Sequence, residues 1–195
     1  MIIHKNFIWL HLPRTGGTAT TSWLKQIDLA LQLNLIITPH ELPAKHDNLN
    51  IRNLRLDEIF DSRIMAMNFR SLPDWLISNY HFALRAGLKV PFERYMEGEF
   101  FSLRVGRWCL ADWWLEYFEV GKISHFMNIQ HLEEDWREFL KEAFGIVAPE
   151  EIRMKIENRN LQVPSISNSL INVNWDMAYA KNPIWKSIEK NLNCY

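Results

Sequence analysis

Cysteine is almost missing from this 195-residue chain: Cys109 and Cys194 are the only two. So few thiols, so far apart, exclude a disulfide scaffold and point to a reducing, cytoplasmic setting in which Cys109 is simply buried. Charge of one sign is lacking too, with 22 Lys and Arg against 23 Asp and Glu and a formal net charge of −1. That balance leaves no electrostatic footprint for nucleic acid, so any basic residue that matters must act locally. No apolar run approaches a transmembrane helix, and the N-terminus shows no basic start, apolar stretch and small-residue cleavage site, so neither a membrane association nor export is expected. Gly-Lys-Ser and Gly-Lys-Thr are absent, which argues against the phosphate loop of kinases and nucleotide triphosphatases. There are no internal repeats and no low-complexity tracts.

What is present is enough apolar material for a substantial core, 48% hydrophobic against 23% charged. One compact domain over 1–195 is therefore expected. Apolar runs at Phe7–Leu10, Leu35–Ile37, Arg63–Phe69 and Lys122–Ile129 read as strands. Helical spacing predicts helices over Ala19–Leu33, Asp74–Ala86 and Glu133–Phe144, the first with Trp23, Leu24, Ile27 and Leu31 on one face. Strands alternating with helices imply a parallel sheet whose ligands sit at the carboxyl ends of its strands.

Two stretches at such ends carry chemistry. In Phe7-Ile8-Trp9-Leu10-His11-Leu12-Pro13-Arg14-Thr15-Gly16-Gly17-Thr18-Ala19 an apolar strand runs into a glycine turn and a helix. Adjacent glycines let successive N–H groups curl inward, the helix adds the positive end of its dipole, and Arg14 and Thr15 add side-chain donors, which together make an anion site. A Gly-Gly turn made for packing alone is the alternative. The second stretch is Arg70-Ser71-Leu72-Pro73-Asp74-Trp75-Leu76-Ile77-Ser78, where Arg70 and Ser78 stand eight positions apart. A guanidinium grips a phosphate bidentately and a helical hydroxyl donates once more. Pro73 and Asp74 equally suit an ordinary first helical turn.

HLPRTGGTA resembles the 5′-phosphosulfate loop of sulfotransferases that use 3′-phosphoadenosine 5′-phosphosulfate, where PKTGGTS or PRTGGTS is usual; Ala19 stands in place of the final serine. RSLPDWLISNYHF is similar to the 3′-phosphate pattern RNPxDxxxSxYHF of that family, with its proline one place later. The segment from Ile123 to Asp135, and Phe139-Leu140-Lys141-Glu142-Ala143-Phe144-Gly145-Ile146 after it, look like the family's strand, yExLxxD turn and helix ending FLG. For Glu133 and Asp135, favourable first-turn acids are the simplest reading.

The resemblance, closest to the carbohydrate-type group, implies a three-layer α/β fold with a central parallel sheet, the P-loop NTPase-like sulfotransferase fold. It implies 3′-phosphoadenosine 5′-phosphosulfate as co-substrate and adenosine 3′,5′-bisphosphate as product, with no metal. Arg14, Thr15, Gly16, Gly17, Thr18 and Ala19 would hold the 5′ end, and Arg70 with Ser78 the 3′-phosphate. Arg14, where the family more often has lysine, would act in catalysis as an electrostatic clamp, since a guanidinium does not deliver protons. The loop Thr38–His46 resembles the stretch carrying the base in some relatives. His40 is the first choice for that base, with Glu41 and His46 as alternatives. A surface loop is the bland reading of the same residues.

The partner expected is a small-molecule or carbohydrate acceptor bearing a hydroxyl. Its site would be a helical insertion at 88–120, where aromatic residues are dense, although Leu110, Trp114, Tyr117 and Phe118 fall at helical spacing and suit packing as well. His11 and His81 read as packing residues. Asn158-Arg159-Asn160 is too short a match to carry a role. Two other functions stay open on the sequence: a nucleotide-binding module that has lost transfer, and a nucleotide kinase or other phosphoryl-transfer enzyme.

Overall fold

A computed structural model describes residues 1–38, 46–48, 63–155 and 173–192. Its elements in chain order are β1 (Ile2–Ile3), β2 (Phe7–Leu10), α1 (Gly17–Leu31), β3 (Ile36–Ile37), β4 (Ile64–Phe69), α2 (Leu72–Arg85), α3 (Phe92–Met96), β5 (Glu99–Ser102), β6 (Arg107–Leu110), α4 (Asp112–Tyr117), β7 (His125–Asn128), α5 (Leu132–Phe144), α6 (Asp176–Lys181) and α7 (Pro183–Asn191). The chain divides into two units, Met1–Phe69 with Tyr117–Glu157, and Arg70–Glu116 with Asn158–Tyr195.

The first unit is built on a mostly parallel sheet in the order β3-β1-β2-β4-β7. The central strands β2, β4 and β7 are parallel, with Leu10 level with Met67 and Asn68 level with Met127. One strand departs from the expected parallel sheet: β1 is antiparallel to both its neighbours, Ile2 pairing with Trp9 on one side and Ile37 on the other. The three residues between β1 and β2 make a hairpin, closed by the His4 N–H on the Phe7 carbonyl at 2.9 Å, and a connection that short joins only antiparallel strands. Because β1 opposes both, β3 points the same way as β2. The chain therefore leaves β2, β3, β4 and β7 at one edge of the sheet.

The continuous apolar runs of β2 and β4 are those of strands buried on both faces. Phe7, Trp9 and Ala66 face a core completed by Trp23, Leu24 and Ile27 of α1 and by Leu132, Trp136, Phe139 and Leu140 of α5. Ile8, Leu10, Met65, Met67 and Phe69, on the other face, are buried as well. Phe7 packs edge-on to Phe139 at 5.6 Å and Trp9 edge-on to Trp136 at 6.3 Å, geometries that the ring quadrupole favours. Glu133 does more than favour the helix dipole. It bonds Arg137 at 2.8 Å and accepts the Met154 N–H at 2.7 Å; burial opposes its charge, yet these donors hold its pKa below the usual range.

In the second unit Trp75 of α2 lies against Phe100 of β5 and Trp185 of α7, with ring centroids 5.1 and 4.7 Å apart. Tyr95 of α3 touches Tyr80 and Trp108. The stretch 88–120 is not the helical insertion expected. It holds α3, an antiparallel β5–β6 hairpin pairing Glu99 with Leu110 and Ser102 with Arg107, and α4. Gly98 and Gly106 adopt positive φ of 87° and 68°, which interrupts a helix and turns the hairpin. Leu110 ends β6 and is exposed, whereas Tyr95, Phe100 and Trp114 are core residues. Arg94 sits over the Trp108 ring at 4.2 Å and pairs with Glu99. Cys109 is buried, and burial pushes its thiol pKa up. Among the described residues no helix is long and apolar enough to cross a membrane.

Candidate functional site

The chain leaves β2 at Leu10 and turns through Pro13–Gly16 into α1. Two residues make the turn, Arg14 at φ 68° and Gly16 at φ 76°. Gly16 adopts this left-handed conformation without penalty, whereas Arg14 holds it at a cost of about 1 kcal/mol. The turn leads into α1, whose N-cap, Gly16, brings no side-chain cap of its own and whose first turn holds no acid. Such an end presents backbone N–H groups and the positive end of the dipole. Thr18 is exposed and Ala19 half-buried on that first turn. Gly17 is required by its neighbour, since a methyl group built on it would overlap the His11 ring.

Thr15 differs from its expected role. Fully buried, it donates its hydroxyl proton to the Leu12 carbonyl at 2.7 Å, so its side chain closes the loop instead of offering a donor outward. Its own carbonyl is held by Asn68, a residue that sequence reasoning passed over. Asn68 Nδ2 donates to the Thr15 carbonyl at 2.9 Å and to Thr20 Oγ1 at 2.8 Å, while Oδ1 accepts from Trp9 Nε1 at 3.0 Å and Trp136 Nε1 at 3.1 Å. Both amide protons and the amide oxygen are thus used, and one side chain of β4 ties together the loop, α1, β2 and α5. The signal in the sequence was a lone amide inside the apolar run Ile64-Met65-Ala66-Met67-Asn68-Phe69.

His46 is the only one of the three expected base candidates among the described residues; His40 and Glu41 lie outside them, as do Asn158, Arg159, Asn160 and Cys194. His46 comes to the same loop. Its ring centroid is 4.5 Å from that of His11, which itself stacks on Trp9 at 5.1 Å. His46 Nδ1 lies 2.9 Å from the His11 carbonyl oxygen. A carbonyl only accepts, so Nδ1 carries the proton and Nε2 is the basic nitrogen of the neutral ring. Two residues on, Asn48 donates its backbone N–H to the Tyr117 hydroxyl at 3.3 Å and its side-chain amide to the Tyr117 carbonyl at 3.0 Å.

No protein-family model and no curated protein matches this chain. The chemistry of the site therefore rests on its own geometry.

Arg70 and Ser78 belong to the second unit. Arg70 is followed by Ser71, the N-cap of α2, with Pro73 and Asp74 in the first turn; the ordinary helix-start reading of these residues holds alongside any ligand role. Arg70 Nε is buried and has no hydrogen-bond partner among the described residues. Burial presses the guanidinium pKa down, with Asp74 the opposing charge. An orphaned buried donor costs about 1–3 kcal/mol, more when charged, and an arriving anion removes that cost. Ser78, 1% exposed, lies on the inward face of α2 with Trp75. His11 and His81 are both buried.

Proposed function

We propose that this protein is a sulfotransferase of the P-loop NTPase-like, three-layer class, moving a sulfuryl group from 3′-phosphoadenosine 5′-phosphosulfate to a hydroxyl of a small-molecule or carbohydrate acceptor. The observation that carries the reading is Arg70: a half-buried side chain whose buried Nε has no partner among the described residues, at the sequence position where the resemblance expects the 3′-phosphate arginine. The glycine-capped, acid-free first turn of α1 after the Arg14–Gly16 turn supports the other half.

In this reading the loop N–H groups, Arg14 and Thr18 hold the 5′-phosphosulfate, with Gly16, Gly17 and Ala19 giving the backbone its close approach. Arg70 and Ser78 hold the 3′-phosphate. The acceptor oxygen forms its bond to sulfur as the bond from sulfur to the bridging phosphate oxygen breaks. Adenosine 3′,5′-bisphosphate departs with that electron pair, its growing charge met by Arg14 and the helix dipole. The acceptor proton goes to the base. His46 Nε2 suits that task because Nδ1 is anchored on the carbonyl of His11, the residue whose ring packs against Gly17.

Incubation with sulfur-labelled donor and a panel of sugar and phenol acceptors tests the reading. Label is expected to move to an acceptor, and His46→Ala is expected to lower turnover by about a hundredfold, within the usual range for losing a general base, while nucleotide affinity stays within about twofold. Full turnover in His46→Ala would pass the base to His40 or Glu41. Tight nucleotide binding without transfer to any acceptor would make the protein a binding module.

A further inference from the structure

The helix α7 belongs to none of the segments that resemble a family motif, yet two of its side chains reach the turn bearing Arg70. Trp185 Nε1 donates to the Arg70 carbonyl at 3.0 Å, and Glu189 Oε2 accepts the Leu72 N–H at 3.0 Å. The first bond fixes the peptide plane between Arg70 and Ser71, and the second fixes the plane between Ser71 and Leu72. One helix thus holds the peptide plane on the carboxyl side of Arg70 and the plane after it. Trp185 and Glu189 are 0% and 1% exposed.

α7 is itself braced from within the unit. The Asp112 carboxylate accepts the N–H groups of Ile184 and Trp185 at 2.8 Å each. Asn182, just before α7, accepts the Asp112 N–H at 2.9 Å and donates to the carbonyls of Gly98 and Ala178. The second oxygen of Glu189 accepts the Tyr179 hydroxyl at 2.8 Å. Burying two carboxylates is unfavourable in itself, and burial pushes both pKa values up against their hydrogen bonds. Each buried acid caps a helix: Asp112 the start of α7, Glu189 the start of α2.

We infer that Trp185 and Glu189 are positioning residues for Arg70, clamping its turn so that the guanidinium meets a 3′-phosphate in one orientation. Arg70 has a long, flexible side chain, and a fixed point of departure reduces what must be ordered when the anion binds. The inference rests on the nucleotide reading proposed above.

The test compares the preference for adenosine 3′,5′-bisphosphate over adenosine 5′-monophosphate in wild type, Trp185→Phe, Glu189→Ala and Glu189→Gln, with thermal unfolding of each. Trp185→Phe keeps an aromatic ring, removes the N–H and leaves a small cavity whose cost the thermal unfolding reads, and is expected to lower the preference about fivefold, the size of one net hydrogen bond. Glu189→Ala is expected to lower it about tenfold. Glu189→Gln can still accept from Leu72 through its amide oxygen and is expected to stay within about twofold of wild type. Variants that lose thermal stability but keep the preference would overturn the positioning role while leaving the nucleotide reading intact. A wild type with no preference would overturn both. Should Glu189→Ala fail to fold, Trp185→Phe decides alone.

Discussion

Arg70→Ala is expected to weaken binding of adenosine 3′,5′-bisphosphate by about a hundredfold while changing that of adenosine 5′-monophosphate by less than about twofold. The size follows from the chemistry of the contact. Hydrogen bonds to a charged group contribute about 1.5–3 kcal/mol each, and a guanidinium can make two to one phosphate. The wild-type side chain is already half-buried, with Nε out of water and unpartnered among the described residues, so only part of its desolvation remains to oppose the contact. The discriminating result is the asymmetry between nucleotides, read by calorimetry or tryptophan fluorescence. Equal losses would mean that Arg70 supports the fold of its turn and does not touch the 3′-phosphate. Arg70→Lys should recover only part of the affinity, because an ammonium cannot make the planar two-pronged contact.

Asn68→Leu is expected to destabilise the protein by about 3–5 kcal/mol and to lower its melting temperature by about 10 °C. The substitution is similar in size, so no large cavity is made. What it leaves behind is two indole N–H groups, a carbonyl and a hydroxyl that all lose a partner at once. Orphaned buried groups of this kind cost about 1–3 kcal/mol each, and the surroundings relax to recover part of it. Freeing the Thr15 carbonyl also frees the loop that Arg14 holds in a left-handed conformation, so any ligand of that loop should bind less tightly. A loss below about 1 kcal/mol would show that water or a rearranged side chain replaces the amide.

The strand, turn and helix of the Pro13–Gly17 loop are legible in the sequence because they are local patterns: Gly16 announces a left-handed residue, and the apolar run before it announces a buried strand. Arg14 does not announce its positive φ, since the left-handed conformation of a non-glycine residue is imposed by what surrounds it. β1 was missed because two residues carry no period. The helical spacing of Trp114 and Tyr117 is real, since both lie in α4, but Leu110 ends β6 and shares that spacing only by coincidence, which hides the β5–β6 hairpin. Asn68 and α7 were invisible for another reason. Asn68 meets Trp136 across 68 positions, and Trp185 meets Arg70 across 115. Contacts of that separation are products of the fold and leave no trace in local spacing. His46 reaching His11 across 35 positions is the same case.

The measurement that bears most directly on the central claim is a calorimetric titration of the wild-type protein with adenosine 3′,5′-bisphosphate, adenosine 5′-monophosphate and magnesium ATP. The sulfotransferase reading predicts that the bisphosphate binds about a hundredfold more tightly than the monophosphate, the increment of a charge-assisted 3′-phosphate contact, and that magnesium ATP does not outcompete it. Equal affinities for bisphosphate and monophosphate, or a preference for magnesium ATP, would contradict it.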